Sequence, residues 1–284
     1  MLATFLAGLV GVGLSLLLEM LNNTFKGTDD VENKLNLPVL GILPMVKKKL
    51  RKEVAHLFEA DTNKAFSESI RSIRTSMVLS ALDKPHKVIV VTSSVPGEGK
   101  STVAANLAMA LGQMEKVLLI DADMRRPTLA KNFDFAVGTP GLANLIAGTA
   151  ELEESIQNKH GVDMLSAGAV PPNPLELLSS PRFSELIERL KAQYDRIVID
   201  SPPTQAVSDA LMLGTLANSL IYVIKSDDTA IPLAVKGVGQ LLQSNAPVTG
   251  VVLNQVDIQK AKKHGYNYGG YYDYYGYSDS AAKS

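Results

Sequence analysis

The sequence predicts an α/β fold whose mostly parallel sheet is flanked by helices, and three observations predict it. Residues 87–92 are a short apolar run rich in β-branched side chains, 93–102 a glycine-containing loop ending in Lys-Ser-Thr, and 103–111 a helix-forming stretch. Two further apolar runs, 117–120 and 197–199, each end in a carboxylate, at Asp121 and Asp200. Strand and helix signals then alternate through 220–224, a helix near 231–243, and 248–254. Such alternation argues for a parallel sheet, and in these sheets the carboxyl ends of the strands border the ligand crevice.

The loop after the first run carries the sharpest chemical signal. A strand, a glycine-bearing turn, Lys-Ser/Thr and a helix form a phosphate-binding loop in the context it requires. Gly97 and Gly99 let backbone amides approach phosphates, and the helix N-terminus adds partial positive charge. On this reading Gly97, Glu98, Gly99, Lys100, Ser101 and Thr102 contact nucleotide, Lys100 reaches the β- and γ-phosphates, and Ser101 ligates Mg²⁺. The first position of the motif is Ser94 where glycine is usual. Asp121 and Asp123, at the end of the second run, can bind Mg²⁺ or accept a proton. Asp200, at the end of the third, has the position of a carboxylate that holds Mg²⁺ directly or through water. Asn254, again at a strand end, is either an adenine contact or a loop cap.

Composition narrows the classes. The 284 residues are 46% hydrophobic, ample for a sizeable core, and the net charge of −1 gives no bias toward nucleic acid. With no cysteine in the chain, disulfides, thiolate catalysis and cysteine zinc sites are excluded.

Residues 1–18 are almost wholly apolar and, as a helix, span about 27 Å, near the minimum for a membrane crossing. Ala3, Ala7, Gly11 and Ser15 form a small-residue face. Lys26, Lys34 and the basic cluster at 47–52 all follow the apolar run, which places the remainder on the cytoplasmic side. Residues 19–61 read as a juxtamembrane segment and linker that docks on the domain beginning at residue 62. From 62 to 82 the pattern turns helical on Ala65, Phe66, Ile70, Ile73, Met77 and Leu79. On that helix Glu68, Arg71 and Arg74 share one broad face, either as an intrahelical ion pair or as a charged surface for a neighbouring subunit. Residues 128–160 form an irregular and helical excursion. A short strand at 162–165, an extended proline loop at 168–174 and an amphipathic helix at 181–193 follow. The end of the chain is of another kind. Tyr266, Tyr268, Tyr271, Tyr272, Tyr274, Tyr275 and Tyr277 are seven of the nine tyrosines, in a stretch with no aliphatic residue to build a core. It reads as a flexible tail over 264–284, either an aromatic low-complexity segment or a set of phenol nucleophiles tethered to a nucleotide site.

Together these motifs resemble the bacterial tyrosine kinases of exopolysaccharide and capsule assembly, in the Wzc-type, CapB-like arrangement. The resemblance rests on residues 94–102, 120–127 and 197–203, the tyrosine cluster, Glu68-x-x-Arg71-x-x-Arg74 and the proline loop at 171–174. Residues 1–46 resemble the last membrane helix and activating segment of a Wzz/CapA-like polysaccharide co-polymerase. The resemblance implies a P-loop NTPase fold related to the MinD and ParA ATPases, using ATP and Mg²⁺. It further implies a kinase domain over 62–263 that faces the cytoplasm at the bacterial inner membrane and autophosphorylates its tail in trans within a ring joined through Glu68, Arg71 and Arg74. A co-polymerase membrane part, a cognate tyrosine phosphatase and other protein substrates are its implied partners. Mg²⁺ falls to Ser101 and Asp200 with Asp123 assisting, and Asp121 is taken as the base, with Asp123 as the alternative. Val95 stands where those ATPases carry an additional lysine, which argues against a plain ATPase switch, the competing function.

Overall fold

In the computed structural model, which describes residues 23–47, 50, 53–81 and 85–263, the apolar runs all enter one sheet. Its strands are β1 (Val39–Pro44), β2 (Val88–Ser93), β3 (Val117–Asp121), β4 (Ile156–Lys159), β5 (Val162–Leu165), β6 (Arg196–Asp200), β7 (Ser219–Lys225) and β8 (Val248–Val256). Their order is β1-β8-β7-β2-β6-β3-β5-β4, parallel throughout except for the β4–β5 hairpin at one edge. The helices of eight or more residues are α1 (Thr28–Leu35), α2 (Lys64–Leu79), α3 (Lys100–Gly112), α4 (Pro181–Gln193), α5 (Asp209–Leu216) and α6 (Ile231–Gln243) among the described residues. Among the described residues no helix is long and apolar enough to cross a membrane. The expected membrane segment at 1–18 and the tyrosine-rich stretch at 264–284 both lie outside the described residues.

The central strands are apolar on both faces because helices cover both faces. Alternate residues of β2 divide accordingly: Val88 and Val90 join one buried cluster, Ile89 and Val91 the other. The second cluster lies under α2 and α3, while α1, α4, α5 and α6 cover the first. Helix starts follow their sequence signals. Asn63 Oδ1 accepts from the Phe66 amide at 3.2 Å to cap α2, whose Phe66, Ile70, Ile73 and Met77 are buried at helical spacing. Helix α4 opens with Pro181 in its first turn behind Ser180.

The segment preceding residue 62 does more than dock. Residues 39–44 form an edge strand, β1, that pairs in parallel with β8, Val39 opposite Val251 and Ile42 opposite Leu253. An edge tolerates Pro44, which has no amide to donate. Residues 54–58 are tied to α3 by the buried Asn106, whose Nδ2 donates to Val54 O at 2.8 Å and whose Oδ1 accepts from Phe58 N at 2.8 Å. The hairpin strand β4 forms within the stretch expected to be irregular.

Candidate active site

Register brings the acidic strand ends together. Val91 of β2 lies opposite Asp200 of β6, and Asp200 lies opposite Asp121 of β3. Above them the loop from Ser94 to Gly99 turns into α3. Gly97 and Gly99 have φ of 91° and 95°, left-handed values that an L side chain rarely adopts. A Cβ on Gly99 would also collide with the Asn254 amide. As the N-cap of α3, Gly99 offers no side-chain cap, so the first-turn amides are left for an anionic ligand.

Lys100 is the hub. Its Nζ lies 2.9 Å from Asp123 Oδ2, 3.3 Å from Asp200 Oδ1 and 3.3 Å from Ser101 Oγ. Burial works against the ammonium, but Asp200 and Asp123 outweigh it and raise its pKa to about 12. Asp123 Oδ1 accepts from Arg126 N at 3.1 Å, and its other oxygen faces the lysine. A crevice of about 620 Å³ opens here, lined by Gly97, Lys100, Ser101, Asp123, Arg126 and Gln255 among others.

Asp121 is placed differently from Asp123. Its Oδ2 accepts from Thr128 N and Leu129 N, each at 2.9 Å, and its Oδ1 from Asp123 N at 3.1 Å. It is fully buried and absent from the crevice wall, which Asp123 lines. Neighbouring strand residues point to opposite faces only while the strand lasts. Beyond Asp121 the chain turns, and Asp123 is the carboxylate that reaches the lysine. Two more of the expected site residues have side-chain partners inside the protein. The Glu98 side chain turns inward, accepting from Val95 N at 2.8 Å and from Thr229 Oγ1, and so holds the loop. Asn254 Nδ2 donates to Glu98 O at 2.8 Å while its Oδ1 accepts from Gln255 N at 2.8 Å. Of the two readings of Asn254, these bonds are those of the loop cap, and Gln255 lines the crevice.

Several supporting residues carry no local motif. Tyr222 OH donates to Ser94 Oγ at 3.0 Å and lies 3.2 Å from Thr204 Oγ1, all three groups buried beneath the loop. This network accounts for serine in the usual glycine position. Arg125, on the crevice wall, forms a bidentate pair with the buried Asp209 at 2.9 and 3.1 Å. Glu68, Arg71 and Arg74 lie apart from the crevice. Arg71 pairs with Glu68 at 3.1 Å, whereas Arg74 turns to α3 and donates to Ala110 O at 2.9 Å.

Asp121, Asp123 and Asp200 thus surround one ammonium, since Arg125 is engaged by Asp209. Burial, then the facing Asp200, pushes the Asp121 carboxyl up to about 7, and burial also raises Asp200 despite Lys100. In the metal-free protein Asp121 holds its proton from its usual 3.8 up to about 7, where the unfolded chain has lost it. Folding therefore takes up protons, and stability is lost as pH rises from about 4 through about 7. Glu98, raised chiefly by burial, adds to the slope. Thermal melts across this window should show a falling midpoint, and a flatter fall in Asp121→Asn. A midpoint that climbs with pH would contradict this balance.

Among the described residues no cluster of three or more His, Cys, Asp or Glu is set to hold a metal alone. The excess of negative charge around Lys100 nevertheless suits a divalent cation that shares ligands with phosphates and water.

Residues 86–258 match the AAA domain family. Tyrosine-protein kinase YwqD of Bacillus subtilis (strain 168) is 40% identical over 203 residues, 70% of this chain and 85% of YwqD. The putative tyrosine-protein kinase EpsB of Ralstonia nicotianae is 34% identical over 97% of this chain, which spans only 39% of EpsB. Among solved structures, the chimerical protein CapA2B2 matches with a TM-score of 0.74 and 34% identity, over 81% of this chain and 99% of that one. The septum site-determining protein MinD of Pyrococcus horikoshii OT3, complexed with Mg-ADP, matches at 0.51 and 28%, over 62% of this chain and 76% of that one.

Proposed function

The chain belongs to the bacterial tyrosine kinases, on a MinD-related P-loop fold, and from that premise we propose that it transfers the γ-phosphoryl group of ATP to the tyrosines of its own tail, in trans within a ring. The observation that carries this reading is the Lys100 ammonium held between Asp123 and Asp200 at the crevice. Nucleotide phosphates compete for that lysine, and once they engage it the Asp123 carboxylate is free to face the incoming phenol. Asp123 then takes the phenol proton as the tyrosine oxygen bonds to phosphorus and the bond to ADP breaks. Lys100 stabilises charge on the transferring group. Ser101 and Asp200 would hold Mg²⁺, which supplies charge neutralisation on the phosphates. Acceptors are Tyr266, Tyr268, Tyr271, Tyr272, Tyr274, Tyr275 and Tyr277, and residues 1–46 anchor and activate the kinase at the inner membrane. Added phosphates repel one another and expel the tail, loosening the ring and regulating polysaccharide polymerisation and export.

Intact-mass measurement after incubation with ATP and Mg²⁺, starting from dephosphorylated protein, tests the reading. Several added phosphates mapping to 266–277 are expected. ADP production with no added mass would instead favour an ATPase switch.

The ring is tested separately. Replacing Glu68, Arg71 and Arg74 together by alanine removes the half-buried charged face and the Arg74 bond to Ala110 O. The expected product is a folded, ATP-binding monomer with little tail phosphorylation, seen by sedimentation beside the mass measurement. Full trans-phosphorylation by that variant would exclude this face as the subunit contact.

A further inference from the structure

We propose that the first turn of α6 seats in the interfacial layer of a lipid bilayer, beside the point where the amino-terminal segment leaves the domain. The chain enters the described structure at Asn23, whose carbonyl accepts from Ile231 N, the first residue of α6, at 2.8 Å. Thr24 and Ala230 form an antiparallel bridge next to it. The start of α6 is therefore fixed at the chain's point of entry.

That turn is unusually apolar for a surface. Residues 230–235 read Ala-Ile-Pro-Leu-Ala-Val, without a polar side chain until Lys236. Leu233 is 37% exposed and Val235 44%, and further along the helix Leu242 is 50% exposed. Between the last two, a Cβ on Gly239 would meet nothing within 4 Å, so that face lies open. Lys225 pairs with Asp228 at 2.9 Å and Lys260 with Asp227 at 3.0 Å, while Lys236, next to Val235, is exposed and in no ion pair among the described residues. Most of the rim is charge-balanced, and the apolar tip can insert without depending on anionic headgroups.

The length of chain before Asn23 identifies the occupant. This step rests on residues 1–18 being the membrane segment proposed above. Five residue steps separate Leu18 from Asn23, at most about 18 Å fully extended. The headgroup layer on each side takes about 6 Å. The tether thus holds the α6 tip within about 12 Å of the interface, within reach of the layer where exposed Leu and Val side chains gain by leaving water.

The absence of native cysteine allows single-site labelling of the full chain. Leu233→Cys, Val235→Cys, Leu9→Cys and, as a fully exposed control at 106%, Val137→Cys would each carry an environment-sensitive fluorophore. The proteins are reconstituted in phosphatidylcholine vesicles and exposed to a shallow lipid-borne nitroxide or to a water-soluble quencher. Probes at 233 and 235 should be quenched several-fold more by the lipid nitroxide than the probe at 137, with no loss at high salt. If they behave like 137 while the probe at 9 is quenched from the lipid, the anchor stands and the α6 contact is wrong. Protection at 233 and 235 from both quenchers would mean that protein, a second copy or the segment itself, covers the tip, and would overturn the proposal. A water-exposed probe at 9 would remove the anchor and the proposal with it.

Discussion

Replacing Lys100 by methionine should abolish tail phosphorylation and also destabilise the ligand-free protein. Loss of the lysine proposed to stabilise the transferring group removes at least about 10²–10³ in rate, the cost of a single preorganised charge donor at a reacting oxyanion. The stability effect has a separate origin. Asp123 and Asp200 lie 2.9 and 3.3 Å from Lys100 Nζ, and their side chains are 7% and 4% exposed. Removing one partner of a buried charged set leaves the others uncompensated, at about 3–5 kcal/mol. The loss should be largest at alkaline pH and shrink on acidification, because the orphaned carboxylates recover by taking up protons. Asp200→Asn added to Lys100→Met should restore much of the melting temperature and none of the phosphorylation. An unchanged melting temperature in the single variant at pH 8 would show that the lysine is not the counter-charge described here.

The loop and its lysine were legible because everything that defines them is local. Strand, turn and helix N-terminus follow one another within residues 87–111, and each has its own residue preferences. The carboxylates at 121, 123 and 200 were legible as strand ends, and the parallel register then placed two of them side by side. What was not legible depends on distant partners. Residues 39–44 have the composition of a strand, yet no short-range feature says that β8 is the neighbour. Glu98 sits inside the phosphate loop and so reads as a ligand contact. Its inward turn depends on Thr229, 131 residues away. Ser94 reads as a weakness in the motif until Tyr222 is seen to donate to it. Asp209 gave no signal at all, since a lone acid after a proline-rich turn is ordinary until Arg125 reaches it. Buried polar groups must find partners, but sequence spacing does not disclose which.

The second large effect separates the two acids at the end of β3, whose residue types are identical and whose surroundings are not. Asp123→Asn keeps the shape of the side chain and leaves Lys100 paired with Asp200, so folding and nucleotide affinity should remain close to those of the parent. It removes the base, and phosphoryl transfer to tyrosine should fall by about 10²–10⁴. Asp121→Asn acts through structure. The aspartate accepts from three backbone amides. Above about pH 7, where Asp121 is ionised, an asparagine turns one acceptor into a donor that faces amide hydrogens, at about 1–3 kcal/mol. The stretch from Asp123 to Leu129 then loses its tie, so this variant should melt earlier yet retain more transfer than Asp123→Asn at temperatures where both are folded. Single-turnover phosphorylation beside thermal melts makes the comparison. An Asp121→Asn protein that is folded, binds ATP and transfers nothing, beside an active Asp123→Asn, would return the base to Asp121.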